Sequence, residues 1–174
     1  MHNMGMTVTR HGTGLDMMHV MSNGALRLEI RSGLDARIAS IRHVTTGREL
    51  LKQDCPHPYA ASTYPYGVSV WVKAGDALDV NSGVLNRTLL PYEYSVSRRP
   101  QVTQDDRSTS YTAIHEAAGI RLEKRYILPC SGSQFSMAVK LTNISRAPLR
   151  LQLELPLSWH SGSTRPKQKF IIPA

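Results

Sequence analysis

The sequence predicts an all-β fold: several antiparallel strands spaced by turn signals, forming a sandwich or a barrel-like pair of sheets. Three observations carry this. Apolar residues recur with a period of two along almost the whole chain, the spacing that puts every second side chain on one face of a strand. Three such segments follow one another between Ile120 and Leu157, joined by the short turn-forming stretches "PCSGS" and "NISRAP". No segment carries a sustained helical period; "AIHEAAGIRLEKR" is rich in helix formers, but from Gly119 onward its apolar positions fit strand spacing.

In chain order, Leu26, Leu28 and Ile30 alternate with Arg27, Glu29 and Arg31, the pattern of a half-buried strand. "RIASIRHV" (37–44) is a weaker strand, and Gly47 in "TTGREL" suits the turn after it. "GVSVWVK" sets Val68, Val70 and Val72 against Ser69, Trp71 and Lys73. "YEYSVS" (92–97) and "STSYTAIHE" (108–116) are expected as shorter strands, with Asp105-Asp106 in a hairpin turn before the second. The strongest passage then puts Ile120, Leu122, Tyr126 and Leu128 on one side, followed by Phe135, Met137, Val139 and Leu141, and by Leu149, Leu151, Leu153, Leu155 and Leu157. With links this short, the three strands are expected to form a meander with one buried face. Arg121, Glu123, Arg125, Lys140, Arg150, Gln152 and Glu154 fall on the opposite face. The expected organisation is a flexible N-terminal segment (1–16), one β-sandwich domain (17–160) and a basic C-terminal tail (161–174).

The chain has 174 residues, 41% apolar and 20% charged, which is enough to bury a real core in one domain. No apolar run approaches the roughly 18 residues of a membrane helix. The N-terminal stretch "MHNMGMTVTRHGTGLDMM" has no apolar signal region. A cytoplasmic protein with no membrane association is therefore the expectation. The net charge of +8 raises the prior for a polyanionic partner. Its charges are scattered, however, with the densest runs at "RLEKR" (121–125) and "RPKQK" (165–169). Cys55 and Cys130 show neither CxxC spacing nor a partner histidine at ligand spacing and read as two ordinary thiols. No local spacing suggests a metal site, and no Gly-rich phosphate loop, GxSxG or HExxH is present; no cofactor is expected.

Two places could carry chemistry. His160 follows the longest alternating run directly, with Trp159 before it and Ser161-Gly162 after it. A histidine at such a strand end can serve as a general acid or base; it can equally be solvated while Trp159 caps the core. The segment 54–67 holds His57, Tyr59, Tyr64 and Tyr66 among three prolines. Its rings offer flat apolar faces with polar tips, suited to sugars, or they cover an edge of the core. Arg125 joins Tyr59, Tyr64, Tyr66 and Trp159 as a candidate ligand contact.

These residues bring a family into view. "NGALRLEI", followed by "GLDARIASIRHVTTGRELL", resembles the opening of galactose mutarotase-like domains, the supersandwich domains of aldose 1-epimerases and of modules attached to glycoside hydrolases. "LEKRYIL" and "FSMAVKLTNISRAPLRLQLELPLSWH" are similar to the later passage in which a strand of such domains ends in histidine. The two blocks cover about half of the chain. In the epimerase branch that histidine begins a His-Pro-Tyr-Phe motif and acts as the acid in sugar ring opening; the resemblance places His160 there as catalytic residue. Ser161-Gly162 stand where Pro-Tyr would follow, and the family's catalytic Glu lies in a later part of a longer domain. Ring opening needs a paired acid and base. The expected function is therefore a carbohydrate-binding module of galactose mutarotase-like type without complete catalytic machinery. The alternatives are an epimerase-like enzyme completed by a partner chain, and a basic β-module for nucleic acid or another polyanion. Nucleic acid ranks last, because interleaved surface aromatics are missing. A half-supersandwich would leave a sheet edge open, so a homodimer through that edge is also expected.

Overall fold

The computed structural model describes residues 6–13, 17–32, 36–51, 68, 71–74, 88–89, 99–117, 119–148 and 151–154. The described elements are all strands: β1 (Thr7–His11), β2 (Met18–Ser22), β3 (Leu26–Arg31), β4 (Arg37–His43), β5 (Trp71–Ala74), β6 (Thr88–Leu89), β7 (Gln101–Gln104), β8 (Ser108–Ala117), β9 (Ile120–Pro129), β10 (Ser136–Asn143) and β11 (Leu151–Glu154). Two antiparallel four-stranded sheets, in the orders β1-β2-β3-β4 and β10-β9-β8-β7, form an all-β, sandwich-like fold; a three-stranded sheet has the order β11-β5-β6. Among the described residues no helix is long and apolar enough to cross a membrane.

The core lies between the two four-stranded sheets. Met21, Leu26, Leu28, Ile30, Ile38 and Ile41 from the first meet Tyr111, Ala113, Tyr126 and Leu128 from the second, all with at most 2% of their surface exposed. Two polar bridges tie the layers at fixed points. The Tyr126 hydroxyl donates to the Ala36 carbonyl at 2.6 Å. Asn23, in the β2–β3 turn, donates to the carbonyls of Pro129 and Gly132 at 2.8 and 3.0 Å. Its Oδ1 accepts from the backbone N–H groups of Ala25 and Leu26 within its own turn.

β4 shows why its sequence reads as a weak strand. Glu29 pairs with Ser40, but Ile30 pairs with Ile38, so Ala39 is an extra residue in a β-bulge. The bulge shifts the alternation by one, and both Ile38 and Ile41 reach the core. Beyond it, Glu49 takes the place of a neighbouring strand. Its carboxylate accepts from Ser40 Oγ at 2.5 Å and from the Ile41 and Leu51 N–H groups at 2.9 and 3.0 Å.

Four expectations change. Residues 7–11, read as part of an irregular segment, form β1; Val8 alone packs on the core, so the alternation is too faint to see, and pairing with β2 makes the strand. β2 was missed because His19, Val20 and Met21 are all buried, which erases a period of two. β8 spans ten residues, longer than expected, and pairs with the wholly exposed β7. The meander is β7-β8-β9-β10: β11 leaves it and pairs with β5, Leu151 opposite Ala74 and Glu154 opposite Trp71. Among the described residues the chain after β10 does not pair back onto that strand. Ile144 and Ser145 donate to the Gly119 carbonyl, and Asn143 closes a turn onto Ala147, hooking the chain over the β8–β9 hairpin instead.

Candidate binding face on the second sheet

β9 alternates throughout and β8 does so from Tyr111 to His115, and their register sorts these side chains into an inner and an outer face. Inward go Tyr111, Ala113 and His115 of β8, opposite Tyr126, Lys124 and Leu122 of β9. Outward go Thr112, Ile114 and Glu116, opposite Arg125, Glu123 and Arg121. His115 and Glu116 thus point to opposite faces, as their adjacency on a strand requires.

The outer face is laid out in rows across the sheet. One row runs Gln101, Thr112, Arg125, Ala138, and the next runs Ile114, Glu123, Lys140. At one end Arg121 Nε donates to Glu116 Oε1 at 2.6 Å, a cross-strand ion pair. At the other, the hydroxyls of Thr103 and Ser110 lie 2.7 Å apart. Arg125 sits in the middle, exposed, and among the described residues its side chain makes no ion pair or hydrogen bond. Its neighbours in the row are short or flexible, so its guanidinium can present its planar fork of donors outward.

The inner face holds polar groups that strand alternation alone did not single out. Lys124 falls in phase with Leu122 and Tyr126 and is 1% exposed; His115 is fully buried. His19 of β2 hydrogen-bonds through Nδ1 to Ser32 Oγ and lies 5.2 Å, ring centre to ring centre, from Tyr111. Tyr111 in turn stacks with Tyr126 at 6.0 Å. Burial holds the His19 imidazole below the ordinary histidine range, and the charges of Arg10 and Arg99 add to the effect. A close Ser–His contact invites comparison with a hydrolytic dyad, but Ser32 is fully buried. No substrate carbonyl can approach its oxygen, so the pair fixes the His19 ring within the first sheet, where it packs against Tyr111 of the second. Among the described residues no cluster of three or more His, Cys, Asp or Glu could hold a metal ion.

Of the sequence candidates, Arg125 lies at the centre of the outer face. Tyr59, Tyr64, Tyr66, Trp159 and His160 lie outside the described residues, as do Cys55, Leu149, Leu155, Leu157 and the basic tail 161–174. Cys130 is a free, exposed thiol just after β9. With the geometry in place, comparison with known proteins adds a negative. No family model matches the chain, and no curated protein does.

Proposed function

We propose that this protein is a carbohydrate-binding module of galactose mutarotase-like type and that the outer face of the β7–β10 sheet, centred on Arg125, takes part in holding the sugar. One observation carries the reading: Arg125 stands exposed and unpaired in a polar row with Thr112 and Gln101, while the neighbouring Arg121 is committed to Glu116. A sugar is recognised by several hydrogen bonds to adjacent hydroxyls, and a guanidinium, a hydroxyl and a carboxamide in one row supply donors and acceptors at strand spacing, about 4.8 Å. Glu116 and Glu123 interleave with the cations, which weakens this face as a track for a phosphate backbone.

Titration calorimetry against a panel of neutral and acidic glycans tests the proposal. At least one glycan should bind, and Arg125→Ala should weaken it about tenfold, or ~1.4 kcal/mol, with the far-UV spectrum unchanged. Tyr64→Ala and Trp159→Ala report whether the aromatic candidates share the site. No glycan bound, or affinity unchanged in Arg125→Ala, overturns the assignment to this face. Affinity for nucleic acid that collapses with added salt would favour the polyanion reading instead.

A further inference from the structure

We propose that β10 is an association edge, at which two copies of this chain pair antiparallel about a two-fold axis at Val139 and join their second sheets into one. A sheet edge is a row of unpaired backbone donors and acceptors, which proteins normally shorten, charge, interrupt with proline or cover. The described edges of the two four-stranded sheets differ in this respect. β4 is covered, since Ile38 exchanges both backbone bonds with Val68, Leu50 donates to Ile41, and Glu49 caps the strand between them. β7 has four residues and follows Pro100. β1 has five and carries Arg10 and His11. β10 has eight, no proline, and one charge, Lys140. Among the described residues nothing hydrogen-bonds to its outer edge.

The register identifies the groups that face outward. Ile144 donates to Gly119, and these two continue the β9–β10 pairing, so the even-numbered residues of β10 exchange bonds with β9. Antiparallel pairs alternate. The N–H and C=O groups of Met137, Val139 and Leu141 therefore point away from the sheet. With the axis at Val139, this residue exchanges bonds with its own copy, and Met137 with Leu141 of the second copy. Side chains then match on both faces. The half-buried row Met137, Val139, Leu141 continues across the junction, and Lys140 lies opposite Ala138 of the second copy, so no like charges meet.

One consequence rests on the carbohydrate reading, although the pairing does not. Lys140 of the second copy enters the row of Gln101, Thr112, Arg125 and Ala138, two strand spacings or about 9.6 Å from Arg125. The combined face then offers two cations to one acidic ligand.

Sedimentation velocity over a micromolar concentration series reads the pairing directly. The wild type should sediment at twice the 19.4 kDa chain mass. Val139→Pro removes an outward N–H while leaving the β9 ladder intact and should give monomer. Ala138→Lys, an exposed change that needs no backbone adjustment, should also give monomer, because it sets two lysines side by side at both ends of the junction. If Val139→Pro fails to fold, Ala138→Lys still decides. A monomeric wild type, a dimer that persists in Ala138→Lys, or a monomer whose β10 edge binds only a foreign extended peptide overturns the proposal. Glycan affinity measured on the Val139→Pro monomer separates the two ideas, since Val139 belongs to the opposite-face row and Arg125, Thr112 and Gln101 keep their places.

Discussion

A Cβ placed on Gly119 would lie 2.7 Å from Cβ of Ser145, closer than two carbons can pack. Gly119 turns the β8–β9 hairpin at φ +78°, and its carbonyl receives the N–H groups of Ile144 and Ser145. The hairpin and the chain leaving β10 are thus packed backbone to backbone. Gly119→Ala combines a left-handed backbone penalty with a steric clash and should cost about 2 kcal/mol or more in urea unfolding. Gly132→Ala is the control, since Gly132 has φ +90° but open space around it; about 1 kcal/mol is expected there. Equal losses at the two positions would remove the clash as the cause.

Asn23 is satisfied in one orientation only, its oxygen toward two N–H groups and its nitrogen toward two carbonyls of the other sheet. Asn23→Ala should destabilise by about 2 kcal/mol, because buried backbone groups lose partners. Asn23→Asp should cost more, despite its near-identical shape, since a carboxylate oxygen would then face the carbonyls of Pro129 and Gly132. Chemical denaturation at neutral pH ranks the two variants.

His19 sets a pH dependence. Its folded pKa lies below the ordinary value of 6.5, so the unfolded chain takes up the proton first on acidification. The contribution is fully present above about pH 6.5 and is lost as pH falls through the lowered folded pKa. The urea midpoint should therefore decline below pH 6.5 in the wild type and flatten over that window in His19→Gln. An unchanged pH profile in the variant would assign the decline to another group.

Asp105 acts lower on the pH scale. Its Oδ1 accepts from the N–H groups of Arg107 and Ser108 at 2.8 and 2.7 Å, closing the β7–β8 turn, and these bonds hold its carboxyl below the usual 3.8. Stability from this contact is present above about pH 3.9 and disappears as pH falls through the depressed folded value. Asp105→Ala should lower the melting temperature at pH 7, and Asp105→Asn, which keeps the acceptor oxygen, should lower it less. The gap between wild type and Asp105→Asn should close in acid.

The outer face was partly legible in advance. Arg121, Glu123, Arg125 and Lys140 fall on the polar side of strands whose apolar sides are unmistakable, and the structure keeps them there. The inner polar groups were not legible, for a specific reason. Lys124 occupies a core phase in a run of otherwise apolar residues, but a lysine is rarely fully buried, so its charge masks the inward position that the structure shows. His19 lies in β2, where three consecutive buried residues leave no period to detect.

By itself the sequence determined the all-β class, the apolar and polar faces of β3, β9 and β10 with Lys124 excepted, and the turns at Gly47 and Asp105, because all of these depend on local alternation and on residues suited to tight turns. Partner choice was decided by tertiary structure alone. That β11 joins β5, that Ala39 bulges so that Ile38 and Ile41 both point inward, and that His19 meets Ser32 and Tyr111 all depend on contacts between segments distant in the chain. A period of two states which side of a strand is apolar; it carries no information about which strand supplies the next row of hydrogen bonds.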